Sequence, residues 1–216
     1  MAIGSVVLLK YTNVTPMISS LTKKSVEATT STHGKMAIQL FMNQLTKVSQ
    51  MTKPMRILAF DISLGQPGVA LVEIRNGQAT IIDKSNIKTT TKDSAAVRAS
   101  IVYAWAVHFI ERNRGKGFDF VVRELFQGRT WKQNAPVFSA WAAVDQALNV
   151  FDLTYTDEPI TPGTHFKVVV GNGKASKQEV AEAVRKWTGF DGEFASDDES
   201  DACSLALYKA IKEGLI

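Results

Sequence analysis

Residues 56–73 contain two apolar runs rich in β-branched side chains, separated by a turn with Gly65, Pro67 and Gly68. This pattern predicts a strand hairpin around which the rest of the chain must be organised. Asp61 stands at the end of the first run, where an acid on a buried strand is costly unless another group pairs with it. Asp61 therefore either caps the turn that follows or belongs to a functional site.

Length and composition are those of an ordinary globular protein, with 216 residues of which 45% are hydrophobic and 21% are charged. This length predicts one domain, with room for an appendage. No apolar run approaches the ~18 residues that a membrane-spanning helix requires. The single cysteine, Cys203, excludes an internal disulfide and a cysteine-rich zinc site.

Basic residues are concentrated at the start of the chain. Residues 1–56 carry seven lysines and arginines against one acid, a net charge of +6 within a total of +4, so residues 57–216 sum to −2. Nucleic-acid binding by that body would need local basic patches. Residues 1–50, with a possible helix at 36–48, are predicted to be a poorly structured basic extension or a mis-assigned start. The folded domain is predicted to span residues 51–216.

The pattern after the hairpin predicts further strands and helices. Three successive strands form an antiparallel meander and later strands alternate with helices. We therefore expect an α/β fold with a five-stranded mixed sheet and helices on both faces. Capping-box patterns at Ser176 and Ser196 open the last two helices. The other predicted strands are residues 79–83, 118–124 and 151–155, and the other predicted helices are residues 92–113 and 134–149.

Carboxylates recur at the ends of these predicted elements. Glu124 ends a buried strand, as Asp61 does, and Asp198 and Asp201 share one face of the last helix because they are three residues apart. Carboxylates that converge from two strands and a helix repel one another. A hard divalent cation such as Mg²⁺ or Mn²⁺ best explains such a cluster, because these ions prefer oxygen ligands.

Two groups of basic residues accompany the acids. One group surrounds the end of the Glu124 strand and the other surrounds a glycine loop at residues 171–173. Their members are Arg123, Arg129 and Lys132, and Lys167, Lys174 and Lys177. The loop opens a helix and could hold a phosphate, but Val168 and Ser176 stand where nucleotide-binding motifs need glycine. We predict contact with a polynucleotide backbone and no nucleotide cofactor, or else ordinary glycine caps.

Other polar and aromatic residues have less specific interpretations. Asp197 and Glu199 are expected to be a solvated acidic helix start, which the helix dipole favours. Phe126 and Trp131, in the loop after Glu124, either wedge between base steps or pin the loop to the core. His165, like His33, has no partner at ligand spacing and is assigned no role, whereas His108 lies on the apolar stripe of the helix at residues 92–113 and is interpreted as a core histidine.

Residues 56–212 resemble the RuvC-type Holliday junction resolvases of the RNase H-like superfamily. Four stretches carry the resemblance, namely residues 58–61 with the following glycine, 121–124, 166–177 and 198–202. The resemblance implies that the acids Asp61, Glu124, Asp198 and Asp201 bind metal. It also implies that Lys167 and Lys177 lie near the scissile phosphate and backbone, with Lys177 acting in catalysis. Phe126 stands close to the place of a family aromatic residue near the junction centre, although its loop does not align cleanly.

The resemblance implies an RNase H-like fold and a structure-selective DNA endonuclease that acts on four-way junctions. It further implies two Mg²⁺ ions per site, replaceable by Mn²⁺, and a homodimer because a junction needs two symmetric cuts. A cytoplasmic protein of bacterial or phage origin, without membrane partners, fits this function. Two alternatives are a non-catalytic junction-binding module and an actin- or sugar-kinase-like phosphotransferase. The phosphotransferase architecture duplicates the domain and is too long for this chain.

Overall fold

A computed structural model describes Gln39 and residues 53–216 apart from Gln127 and Arg129. The chain divides into the units Met1–Gln50 and Met51–Ile216, and the sheet with its covering helices belongs to the second unit. The predictions for residues 1–50 and the predicted DNA contact of Arg129 lie outside the described residues. Within the described part of the chain, no helix is long and apolar enough to cross a membrane.

One mixed sheet forms the centre of this unit, with the strand order β3-β2-β1-β4. The predicted hairpin is present, because β1 and β2 pair antiparallel, and β1 also pairs parallel with β4 on its other side. Asn76 and Gly77 both adopt positive φ angles in the turn between β2 and β3, as a tight hairpin turn requires. The strands are β1 (Met55–Asp61), β2 (Gly68–Arg75), β3 (Gln78–Asn86) and β4 (Phe120–Arg123).

Helices cover both faces of the sheet. Side-chain caps begin several of them, as at Ser94, Ser176 and Ser196, whose hydroxyls each accept a hydrogen bond from a backbone N–H in the first turn. The five helices of the described range are α1 (Ala95–Asn113), α2 (Trp131–Asn149), α3 (Pro162–Val169), α4 (Lys177–Thr188) and α5 (Asp197–Lys212).

The predicted fifth strand at residues 151–155 is wrong, because the described sheet has four strands. The chain instead runs beside β4 slightly later, where Thr156 N donates to Val121 O and Ile160 N donates to Arg123 O. From Thr156 to Ile160 the chain advances four positions while β4 advances two, from Val121 to Arg123. The ladder is therefore interrupted, and an isolated bridge joins Glu124 to Ile160. Proline at position 159 lacks the N–H that a regular ladder would need.

The alternation of side chains along β1 divides the core into two layers. Ile57 and Ala59 pack in the layer that includes α5, α4 and α3, whereas Leu58 and Phe60 pack in the layer that includes α1 and α2. All four side chains are fully buried. The face to which a β1 or β4 residue points therefore decides which set of helices it meets.

Candidate metal centre

The parallel pairing of β1 and β4 brings their two terminal acids together. Phe60 lies opposite Arg123 in the register, and Glu124 N donates to Phe60 O at 3.0 Å, so Asp61 and Glu124 end neighbouring strands. Asp61 follows the alternation of Ile57 and Ala59, and Glu124 follows that of Val122. Both side chains consequently point to the face that α5 covers.

Gly68 allows α5 to approach these strand ends. It pairs with Asp61 across the hairpin, and a Cβ atom built on Gly68 would lie only 2.1 Å from the carbonyl oxygen of Asp198. Any larger residue would therefore collide with the helix backbone. The absence of a side chain at this position lets the first turns of α5 lie directly beside Asp61.

Three carboxylates converge where these elements meet. One oxygen from each of Asp61, Glu124 and Asp201 lies within 4.8 Å of the others. Asp201 is 1% exposed, and its Oδ1 atom is buried without a hydrogen-bond partner among the described residues. A buried carboxylate oxygen without a donor is costly. An all-oxygen cluster that includes such an atom fits a hard divalent cation.

The electrostatics of the cluster point the same way. Burial raises the pKa of Asp61 well above its ordinary value of 3.8, and the charges of Glu124, Asp201 and Asp198 raise this pKa further. Burial also raises the pKa of Asp201, and the charge of Glu124 adds to this effect, although Lys177 opposes it. Burial and mutual repulsion therefore make Asp61 and Asp201 harder to ionise. A bound cation would favour their ionised forms.

Asp198 lies in the first turn of α5 and is half-buried. It is outside the three-carboxylate group, although its charge contributes to the raised pKa of Asp61. The pKa of Asp198 is itself raised, chiefly by burial, and Lys177 opposes that shift. Asp198 is therefore close enough to influence the centre, and its role as a fourth metal ligand stays a prediction.

Lys177, at the start of α4, places an ammonium group against the cluster. Its Nζ forms an ion pair with Oδ2 of Asp201, and its side chain remains 52% exposed. Burial opposes the charge of Lys177, but the hydrogen bond with Asp201 and the charges of Asp201, Asp61 and Glu124 outweigh it and raise the pKa of the lysine. A cation that is both paired with the cluster and open to solvent is suited to contact a phosphate at this place.

The remaining predicted contacts with nucleic acid lie on the surface. Lys167 on α3, Lys174 directly after the glycine loop and Lys132 at the start of α2 are all exposed. Phe126 is 41% exposed and Trp131 is 74% exposed, so neither aromatic side chain is buried in the core. Their proposed contacts with DNA stay predictions.

Arg123 differs from the other basic residues because strand alternation sends it to the opposite face from Glu124. Its guanidinium carbon lies 4.2 Å from the ring centroid of Trp141 and 4.4 Å from that of Tyr155. An ion pair at 3.2 Å joins it to Asp145. These contacts hold the guanidinium on the opposite face of the sheet from Glu124, and the DNA contact of Arg123 stays a prediction.

Two residues next to the centre have roles that the sequence did not reveal. Glu199 was expected to be solvated but is 4% exposed, because it accepts hydrogen bonds from Lys84 Nζ at 2.6 Å and from Ala195 N at 2.9 Å. Asp197 is exposed, as expected. His165, to which no role was assigned, is fully buried and contacts Glu124 at 3.1 Å. Its burial would have followed from a helix at residues 162–169, where His165 shares a face with Phe166 and Val169.

The sheet, its helices and the convergent carboxylates define an α/β protein with a candidate metal centre. No protein-family model matches the sequence. A crossover junction endodeoxyribonuclease RuvC of Moorella thermoacetica is 30% identical over 161 residues, which are 72% of this chain and 91% of the relative. That of Orientia tsutsugamushi strain Boryong is 25% identical over 159 residues, 74% of this chain and 97% of the relative. The chain belongs to the RuvC family.

A solved structure supports the fold independently. Thermus thermophilus RuvC in complex with Holliday junction substrate aligns with a TM-score of 0.64 and 23% identity, covering 74% of this chain and 94% of that one. The aligned part of this chain is about as long as residues 53–216. About a quarter of the chain has no counterpart in this relative.

Proposed function

We propose that this protein is a structure-selective DNA endonuclease that resolves four-way junctions by metal-dependent hydrolysis of phosphodiester bonds. The observation that carries the proposal is the convergence of Asp61, Glu124 and Asp201 within 4.8 Å. This cluster occurs in a chain whose relatives are named crossover junction endodeoxyribonucleases. Cytoplasmic DNA of a bacterial or phage-infected cell would be the setting for this activity.

Asp61, Glu124 and Asp201 would hold the metal, with Asp198 as a further ligand. Mg²⁺ is the cation we propose, with Mn²⁺ able to replace it, because the donors are all carboxylate oxygens. We propose two ions per site because of the chain's relationship to RuvC nucleases. When bound, such ions supply an activated water and neutralise charge on the leaving oxygen. The protein's own contribution is to fix the carboxylates on two strands and a helix, so that little reorganisation is needed during the reaction.

Lys177 would bind the phosphate next to the cleaved bond. Its ammonium group already lies at the edge of the cluster and is held by Asp201, with about half of its side chain open to solvent. Lys167, Lys174 and Lys132 would add contacts with the DNA backbone farther out, and Phe126 or Trp131 would contact bases at the junction. We assign residues 51–216 to the nuclease domain and residues 1–50 to a basic extension.

We further propose that the active form is a homodimer, because a four-way junction presents two symmetry-related strands for cleavage. Light scattering or sedimentation of the free protein at micromolar concentration would test this part separately. A strictly monomeric protein that cleaves only one strand of each junction would refute the dimer and leave the nuclease assignment intact.

The direct test is incubation with a synthetic four-way junction in Mg²⁺, beside a linear duplex of matching sequence. We expect paired, symmetric cuts in the junction, little cutting of the duplex and no cutting after chelation of the metal. The Asp61→Asn variant serves as the control for contaminating nucleases. Binding of the junction without cleavage in either Mg²⁺ or Mn²⁺ would identify a non-catalytic junction-binding module and overturn the proposed activity.

A further inference from the structure

A buried histidine links the candidate metal centre to the interior of α5. The His165 side chain on α3 is fully buried, with Nε2 3.1 Å from Oε2 of Glu124 and Nδ1 3.0 Å from Oγ of Ser204. Ser204 is also fully buried and lies on α5, one turn beyond Asp201. The Phe166 ring packs against the imidazole at an interplanar angle of 61°, with 4.4 Å between the ring centroids.

The direction of these two hydrogen bonds follows from the groups involved. A carboxylate that binds a cation is ionised and only accepts hydrogen bonds, so Nε2 of His165 must carry the ring proton and donate a hydrogen bond to Glu124. In a neutral imidazole the other nitrogen, Nδ1, is then an acceptor, and the hydroxyl of Ser204 donates to it. The chain of hydrogen bonds therefore runs from Ser204 through His165 to Glu124.

Through this arrangement, His165 would restrict the movement of Glu124. A glutamate side chain has several rotatable bonds, and Glu124 lies within 4.8 Å of two other carboxylates that repel it. Among the described residues, His165 is the one that hydrogen-bonds to Oε2, and Oε1 has no such partner. The histidine thus fixes one oxygen of Glu124 and leaves the other for a cation.

We infer that His165 is a positioning residue that orients Glu124 for metal binding and that Ser204 holds the imidazole in the required tautomer. The inference rests on the proposed function, because it assumes that Glu124 is a metal ligand. Partners of metal ligands contribute to affinity, and their loss typically weakens metal binding by about 10- to 100-fold. His165 needs no contact with DNA or with the metal for this role.

Titration with Mn²⁺ alone, followed through the rise in melting temperature, tests this role without DNA. The variant His165→Leu keeps an apolar side chain of similar bulk but has no donor, so it should require about 10- to 100-fold more Mn²⁺ for the same rise. His165→Gln places an amide N–H near the position of Nε2 and should recover most of the wild-type affinity. Ser204→Ala should give a loss between these two.

The control is His108→Gln, since His108 lies on α1 away from this chain of hydrogen bonds. The interpretation of His108 as a core histidine is wrong, because its side chain is exposed. If His165→Leu acted by loosening the fold, the melting temperature without metal would fall and His165→Gln would not restore it. If it acts through the position of Glu124, the concentration of Mn²⁺ needed to raise the melting temperature increases. Wild-type Mn²⁺ dependence in His165→Leu, or equal losses in His165→Leu and His165→Gln, would overturn the inference. If His165→Leu does not fold, His165→Gln and Ser204→Ala still decide the matter.

The proposed function and this inference can fail separately. A wild-type protein that binds Mn²⁺ with the expected dependence on His165 but cuts no junction would contradict the nuclease activity alone. A protein that cuts junctions at the same Mn²⁺ concentration with leucine or histidine at position 165 would contradict the positioning role alone.

Discussion

Replacement of Asp61 by asparagine should stabilise the metal-free protein while abolishing cleavage. The oxygens of Asp61, Glu124 and Asp201 lie within 4.8 Å of one another. At that separation two like charges repel by about 3 kcal/mol at an effective dielectric constant of ~20. Asparagine removes two such repulsions and also the attraction to Lys177, so we expect a net gain of about 1 to 3 kcal/mol in the free energy of unfolding.

This gain should depend on pH in a defined direction. Because the pKa of Asp61 is raised above its ordinary value of 3.8, the folded protein retains a proton on Asp61 at pH values where the unfolded chain has lost it. The stability of the metal-free wild-type protein therefore falls as the pH rises above that ordinary value. The advantage of Asp61→Asn should be largest near neutral pH and should disappear as the pH approaches about 4.

Thermal unfolding in EDTA, scanned across pH, measures both effects. A gain of 1 kcal/mol corresponds to ~2–4 °C in the melting temperature of a domain of this size. Added Mg²⁺ should raise the melting temperature of the wild-type protein more than that of the variant, because the variant has lost a ligand. The variant should still bind junctions, which a gel-shift assay without metal would show.

The matched control is Asp191→Asn, which removes the same charge from an exposed position outside the cluster. It should leave the melting temperature and its response to Mg²⁺ unchanged. The reasoning would be refuted if Asp61→Asn lowered the metal-free melting temperature at neutral pH, or if it cleaved junctions at the wild-type rate.

Three further predictions concern other parts of the molecule. Lys177→Ala should lower the single-turnover cleavage rate and reduce the slope of log affinity against log salt by about one unit, whereas Lys186→Ala at the far end of α4 should change neither. Gly68→Ala should lower the free energy of unfolding in chemical denaturation by about 1–3 kcal/mol, because its Cβ atom would overlap the Asp198 carbonyl. Gly115→Ala is the control and should be tolerated, because a Cβ atom there meets nothing within 4 Å. A chain that begins at Met51 should fold and cleave as the full chain does, with weaker DNA binding at low salt only, and insolubility of that shorter protein would show that the extension is structural.

Much of the sheet can be predicted from the sequence, because the patterns that mark strands and turns are local. The alternation of apolar residues and the Asn76–Gly77 turn signal the hairpins within a few residues. Residues 151–155, after α2, have the apolar pattern of a strand, which is why the sequence predicts a fifth strand there. The interruption of the hydrogen-bond ladder before Ile160 depends on how this part of the chain lies against β4, and no local pattern predicts that. The side to which Arg123 points follows from simple alternation with Glu124, so the sequence pattern alone places the two side chains on opposite faces of the sheet.

Several site residues could not be identified because their partners are distant in the chain. His165 lies 41 residues from Glu124, and Lys84 lies 115 residues from Glu199. No local pattern links residues so far apart, so the spacing of His165 with Phe166 and Val169 can indicate that it is buried but not that it contacts Glu124. Asp61 and Glu124 were identifiable because each ends an apolar run, which marks a strand end regardless of its partners.

The wide spacing of the three carboxylates along the chain determines when, during protein synthesis, the candidate metal centre can form. Asp61, Glu124 and Asp201 are separated by 63 and 77 residues along the chain. A growing chain therefore contains at most two of the three until α5 has been made, and that helix must still dock over Gly68. An incomplete chain, whether still on the ribosome or truncated before position 201, would lack one of the three carboxylates of the candidate metal centre, and we expect it not to cleave DNA.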